Sequence, residues 1–185
     1  PGHYAYIKIA EGCDHTCSFC NIPQLRGRFR SRRPDSILAE AASLLARGVR
    51  EIILVAQDTT SYGEDLGLRD GLADLLEQLA RLPSTQEYWI RFLYAYLNRI
   101  TQRLLDVMAA NSRIVPYLDL PLQHASASVL RRMRRGGSAE RRRRFPVAVV
   151  RAVWRAPDPG RAVEELLRAL EGAEPRGARS DAWIP

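Results

Sequence analysis

Short apolar runs and amphipathic stretches alternate four times between residues 4 and 135, and this alternation limits the fold more than any other feature of the chain. Residues 4–9, Tyr-Ala-Tyr-Ile-Lys-Ile, have the length and β-propensity of a strand. Residues 51–56, Glu-Ile-Ile-Leu-Val-Ala, form a continuous apolar run, the pattern of a strand covered on both faces. Residues 88–93 and 115–120 read as two further strands. Between the strands the apolar spacing turns helical. Pro34 opens a helix over residues 34–47, with Ile37, Leu38, Ala41, Leu44 and Leu45 at helical spacing and Gly48 as its stop. Leu72, Leu75, Leu76 and Leu79 mark a second helix over residues 71–82, ended by Pro83. Thr101 caps a third over residues 101–110, and residues 126–135 read as a fourth.

Strands alternating with helices at this spacing predict an α/β fold with a parallel sheet and helices outside it. An open doubly wound sheet and a partial (βα) barrel of about four to five units both satisfy the pattern. In either, chemistry belongs at the carboxyl ends of the strands. There the sequence places Glu11-Gly12-Cys13, Gln57-Asp58-Thr59-Thr60, Tyr94-Ala95-Tyr96 and Pro121-Leu122-Gln123-His124.

The partial barrel is expected over residues 1–140, followed over 141–185 by a divergent tail rich in Arg, Pro and Gly with one amphipathic helix near 161–170. Residues 131–144 hold eight arginines against the single acid Glu140, which is the whole of the chain's net charge of +7. Basicity confined to one block, with only Phe145 and Trp154 near it to stack on bases, argues against a nucleic-acid partner. No apolar run is long enough to span a bilayer and no signal-peptide pattern opens the chain, so a cytoplasmic location without a membrane partner is expected. The start at Pro1, almost directly ahead of a strand, suggests a piece of a longer polypeptide.

All three cysteines, Cys13, Cys17 and Cys20, lie within eight residues just after the first strand. An odd number cannot pair fully in disulfides, and such crowding reads as a metal-ligand set. Three thiolates in one loop can hold three irons of a [4Fe–4S] cluster and leave the fourth open to a small molecule. A zinc site with His15 as fourth ligand is the competing reading, although zinc sites more often draw on two separated pairs.

The spacing C-x3-C-x2-C with the aromatic Phe19 before the last cysteine resembles the radical-SAM superfamily. That resemblance implies a reduced [4Fe–4S] cluster held by Cys13, Cys17 and Cys20, and an electron donor to reduce it. It also implies S-adenosylmethionine, cleaved to a 5′-deoxyadenosyl radical that abstracts a hydrogen atom. Phe19 would pack near the adenine. The flanking segments 5–13, Arg26-Gly27 and Arg30-Ser31-Arg32 are similar to the methylthiotransferase family. Segments 57–63, 91–96 and 117–126 resemble its ribosomal-protein branch, with a tRNA-modifying methylthiotransferase of the same family as the competing reading. The implied reaction is methylthiolation of an aspartate β-carbon in the twelfth protein of the small ribosomal subunit. Gln57 and Thr59 are the expected cofactor contacts on the second strand's rim, and Gln123 on the fourth. His124 is expected only to line the pocket.

That family carries an N-terminal domain with a second cluster, thought to supply sulfur, and a β-rich domain that grips the substrate. Neither is found in these residues, so the chain alone is expected not to complete the reaction; an inactive iron–sulfur or zinc fragment is the non-enzymatic alternative. Leu97 and Asn98 stand where the family tends to have Pro and His. From about Gly136 the resemblance is expected to dissolve into arginine-rich sequence of the kind a shifted reading frame yields.

Overall fold

A computed structural model describes residues 2–121, 123 and 127–135. The expected helix near 161–170, the divergent tail and His124 lie outside these residues. Strand β1 (Tyr4–Lys8) is followed by the two-residue strand β2 (Ala10–Glu11), the short helix α1 (Ile22–Arg26) and strand β3 (Arg30–Ser31). Helix α2 (Pro34–Ala46), strand β4 (Glu51–Val55), helix α3 (Gly71–Ala80), strand β5 (Trp89–Phe92), helix α4 (Gln102–Ala110) and helix α5 (Ala127–Arg132) complete the order.

The main sheet is parallel in the order β1–β4–β5. Tyr4 pairs with Glu51 and Lys8 with Val55, while Glu51 and Leu54 face Trp89 and Phe92 on the other side. The central strand carries the continuous apolar run, and Ile52, Ile53 and Leu54 are all buried. That is the requirement of a parallel strand covered on both faces. On β1, Tyr6 and Lys8 are exposed while Ile7 between them is fully buried.

The helices follow from their sequences. Pro34 supplies the fixed φ of a first helical position and lacks the N–H that would go unpaired there. Gly48, at φ 86°, takes the left-handed conformation that ends α2, with its N–H and that of Val49 donating to the Leu45 and Leu44 carbonyls. Thr101 caps α4 by accepting a 3.2 Å bond from the Leu104 N–H. Ile37, Ala41 and Leu45 of α2, Leu72, Leu75, Leu76 and Leu79 of α3, and Leu104, Val107 and Met108 of α4 pack with the strand residues into one core.

The fourth strand expected over residues 115–120 does not form. A single parallel bridge, Ile90 to Ile114, marks the place, held by Ile90 N–H to the Arg113 carbonyl and Val115 N–H to the Ile90 carbonyl. Pro116 has no N–H to continue a ladder. The chain nevertheless stays beside β5, because the Ala95 N–H donates to the Asp119 carbonyl. Two small elements escape the sequence pattern: α1, and the antiparallel ribbon of β2 and β3, which pairs Ala10 with Ser31 and Glu11 with Arg30. Among the described residues, no helix is long and apolar enough to cross a membrane.

Candidate functional site

The β2–β3 ribbon turns the cysteine segment into a closed loop. The chain leaves at Glu11, passes Cys13, Cys17 and Cys20 and helix α1, and returns at Arg30. Gly12 makes the exit at φ 83°, with its N–H donating to the Gln57 side-chain oxygen at 2.9 Å. The Cys13 N–H donates to the Gly27 carbonyl at 3.2 Å, and the Phe29 N–H to the Asp14 carboxylate at 3.1 Å, closing the base of the loop. The ribbon is clasped from the β4 side: the Tyr62 hydroxyl donates to the Arg32 carbonyl, and the Gly63 N–H to the Ser31 hydroxyl. Burial pushes the Tyr62 phenol up to about 12.

The loop lies against the carboxyl ends of β4 and β5, and one buried carboxylate organises that contact. Asp58 is 2% exposed. It accepts from the Thr60 N–H at 3.0 Å, from the Thr60 and Ser61 hydroxyls, and pairs with His15 Nε2 at 2.7 Å. The Arg99 guanidinium stands 3.9 Å away. Burial is the largest influence on this carboxyl and opposes its ionisation. The bonds from His15, Thr60 and Ser61 and the charge on His15 outweigh it, holding the group below the ordinary aspartate value. The His15 ring stacks on Tyr96, with centroids 4.2 Å apart and planes at 17°. Tyr96 is itself fixed by its N–H donating to the Thr60 hydroxyl at 3.0 Å. The cysteine loop is therefore pinned to β4 through Asp58 and to β5 through Tyr96, by a single histidine set between Cys13 and Cys17.

Cys13 and Cys17 are buried and Cys20 half-buried. Backbone N–H groups approach two of the sulfurs, His15 to Cys13 at 3.4 Å and Ile22 to Cys20 at 3.5 Å. Burial, first, pushes the Cys13 thiol above its ordinary value; the His15 N–H opposes this, while Asp58 and the other two cysteines add to it. As placed, no three His, Cys, Asp or Glu side chains among the described residues form a group able to hold one metal ion. A mononuclear zinc site needs four donors converging on one point, and His15 directs Nε2 to Asp58 instead. A cubane asks for less convergence, because each thiolate binds a different iron. Three thiols on one tied loop, with backbone N–H donors at two of the sulfurs, fit that demand.

The residues expected to meet a cofactor are spread more widely. Phe19 is 50% exposed beside Cys20. Gln57 uses its side-chain oxygen to hold Gly12. Thr59 is fully buried, and its hydroxyl donates to the Leu93 carbonyl at 2.8 Å, so it ties β4 to β5 rather than facing the loop. Gln123 is exposed and sits at φ 67°. Asp58, the hub, was visible in the sequence only as part of a polar turn. Its one local signal is Asp-Thr-Thr-Ser after a buried strand, the pattern of a carboxylate capping the turn that follows, and the structure shows that cap.

The sequence pattern described as Radical SAM superfamily matches residues 7–152. The chain is 53% identical to the ribosomal protein uS12 methylthiotransferase RimO of Solibacter usitatus, covering 94% of this chain and 40% of that protein. It is 53% identical to the RimO of Koribacter versatilis, covering 92% and 35%, and 47% identical to that of Moorella thermoacetica, covering 91% and 40%. The chain thus spans two fifths or less of the length of these relatives. Alignments covering more than nine tenths of the chain run past residue 140, into the segment where the resemblance was expected to end. Among solved structures, the radical S-adenosylmethionine methyltransferase TsrM of Kitasatospora setae superposes with a TM-score of 0.55 at 18% identity, over 70% of this chain and 24% of that one. The cobalamin-dependent S-adenosylmethionine radical enzyme OxsB gives 0.58 at 12% identity, over 90% and 30%. At these identities the likeness concerns the fold.

Proposed function

The chain belongs to the radical SAM superfamily, and from that premise we propose that it is the cluster-binding and S-adenosylmethionine-binding portion of a methylthiotransferase acting on ribosomal protein uS12. The observation that carries the reading is the 53% identity to proteins of that name over more than nine tenths of the chain. Cys13, Cys17 and Cys20 would hold a [4Fe–4S] cluster through three irons. When bound, such a cluster supplies the electron that cleaves S-adenosylmethionine at its open iron.

The chain's own residues have three tasks in that reaction. Gly12 and Gln57 fix where the loop leaves the sheet, and so where Cys13 stands. His15, Asp58 and Tyr96 fix the middle of the loop against β4 and β5. Phe19 and Gln123 offer an apolar face and an exposed amide to the bound cofactor, Gln57 a side chain already bonded to Gly12 at the end of β4, while Thr59 acts through the backbone it ties. The tied loop keeps the two buried thiols out of bulk water, which protects a reduced centre from side reactions. The substrate is the uS12 aspartate, and an electron donor reduces the centre.

Electron paramagnetic resonance on the anaerobically reconstituted, reduced chain tests the proposal. A [4Fe–4S]⁺ signal that shifts on adding S-adenosylmethionine and is absent in Cys17→Ala is the expected result. Iron-free protein, or a signal indifferent to the cofactor, would overturn it.

A further inference from the structure

One cation reaches the cysteine loop from far along the chain. Arg135 lies 118 residues after Cys17, and its Nη1 stands 4.0 Å from the Cys17 sulfur, at the outer reach of an N–H···S contact. The guanidinium is not loose. Its Nη2 donates to the Pro121 carbonyl at 2.6 Å, and its central carbon lies 4.8 Å from the centroid of the Tyr96 ring on which His15 stacks. Cys17 itself is only 9% exposed, so little water intervenes to screen the charge.

The backbone around Arg135 is shaped to deliver it. Arg134 takes φ 48°, a left-handed conformation that is unfavourable for a residue with a side chain. It ends α5 with the Arg135 N–H donating to the Leu130 carbonyl and the Arg134 N–H to that of Arg131, a tight reversal. From the other side, Ser18, between Cys17 and Cys20, donates its N–H to the Met133 carbonyl at 2.9 Å. The end of α5 and the cysteine loop are thus bonded to each other, backbone to backbone, with Arg135 at the junction.

Resting on the cluster-binding reading above, we propose that Arg135 is a positioning and tuning residue for the Cys17 corner of the centre. Its fixed positive charge favours the reduced, more negative state and so raises the reduction potential. Net charge and hydrogen bonds at the sulfurs are among the levers that set such potentials, and an arginine remains charged at every accessible pH. The electron that must be loaded before the cofactor can be cleaved would then be easier to place in this chain than in one lacking the cation.

A redox titration followed by electron paramagnetic resonance reads the effect directly, without turnover. In Arg135→Gln, the ratio of reduced to oxidised cluster at a fixed poise should fall about tenfold, which for a one-electron couple is about 59 mV. Arg135→Lys, which keeps the charge, should stay within about threefold of the parent, or about 28 mV on the same scale. Equal potentials in parent and Gln variant would overturn the proposal, as would a Lys variant that falls as far as the Gln one. Where the Gln variant fails to assemble a centre, a Lys variant with the parental potential supports the charge role. Failure of both to assemble makes Arg135 a structural anchor and overturns it. A parent chain that takes up no cluster would instead overturn the reading on which the inference rests.

Discussion

A methyl group added at Gly12 would lie 2.2 Å from the Arg28 carbonyl oxygen and 2.6 Å from that of Gly27, both rigid backbone atoms. Gly48 has nearly the same φ, 86° against 83°, yet nothing within 4 Å of the added carbon. The pair separates conformational strain from collision. Gly48→Ala should cost about 1–2 kcal/mol in urea unfolding, the price of the left-handed backbone alone. Gly12→Ala should cost about 1 kcal/mol more, because the base of the loop must move, and it should lower iron bound per chain while Gly48→Ala does not. Asp58 offers a second residue-scale prediction. Its folded value lies below the ordinary 3.8, so the stability it contributes is complete above that value and is lost as pH falls through the lower one. Asp58→Asn should be less stable than the parent by about 2 kcal/mol at pH 7, the range of bonds to a charged group. That lead should shrink once pH drops below about 4. Urea midpoints from pH 7 down to pH 2 check it; a constant lead would mean the carboxylate charge is not its source. At this scale the sequence was legible in part. Three cysteines within one loop announce themselves, because ligands to one centre are close in sequence. Asp58, His15 and Arg135 do not, since their partners lie 43 and 118 residues away and only the fold brings them together.

Between residues and fold stand the elements, and here periodicity carried most of the reading. Helices α2, α3 and α4 and strands β1, β4 and β5 follow from apolar spacing and from Pro34, Gly48 and Thr101 at their ends. What stayed hidden has physical reasons. A two-residue strand such as β2 or β3 is too short to show any period, and its pairing is set by where the cysteine loop must close. The stretch after Val115 is apolar enough for a strand, but Pro116 cannot donate to a ladder, and one bridge is all that forms beside β5. The Thr101 cap is the element most open to a clean measurement. Its hydroxyl accepts from the Leu104 N–H and also meets the Asp70 carboxylate at 3.2 Å, joining the start of α4 to that of α3. Thr101→Ala should lose about 1 kcal/mol of stability, and Thr101→Ser should recover most of it, read as shifts in the urea midpoint at constant slope. A full loss in the Ser variant would place the effect in the packing of the threonine methyl instead.

For the molecule as a whole, the decisive quantity is how many thiolates these 185 residues can offer. There are three, all in one loop, and three are what a single open-iron cluster takes. Methylthiolation places a sulfur on carbon, and a sulfur source built on a further cluster needs further ligands. The relatives named for the whole reaction are at least two and a half times as long as the stretch matched here. Under the proposed function, binding and cleavage of the cofactor would call on the loop and the strand ends that carry it, and those are tied together within the described residues. The two activities should therefore part company. Expressed as these 185 residues and reduced anaerobically, the chain should convert S-adenosylmethionine to 5′-deoxyadenosine and methionine, seen by mass spectrometry and abolished in Cys17→Ala. Under the same conditions uS12 should stay at its unmodified mass. Methylthiolated uS12 from this chain alone would show that sulfur reaches the substrate by a route needing no second cluster, and would move the search for its source to free sulfide or to the tied loop itself.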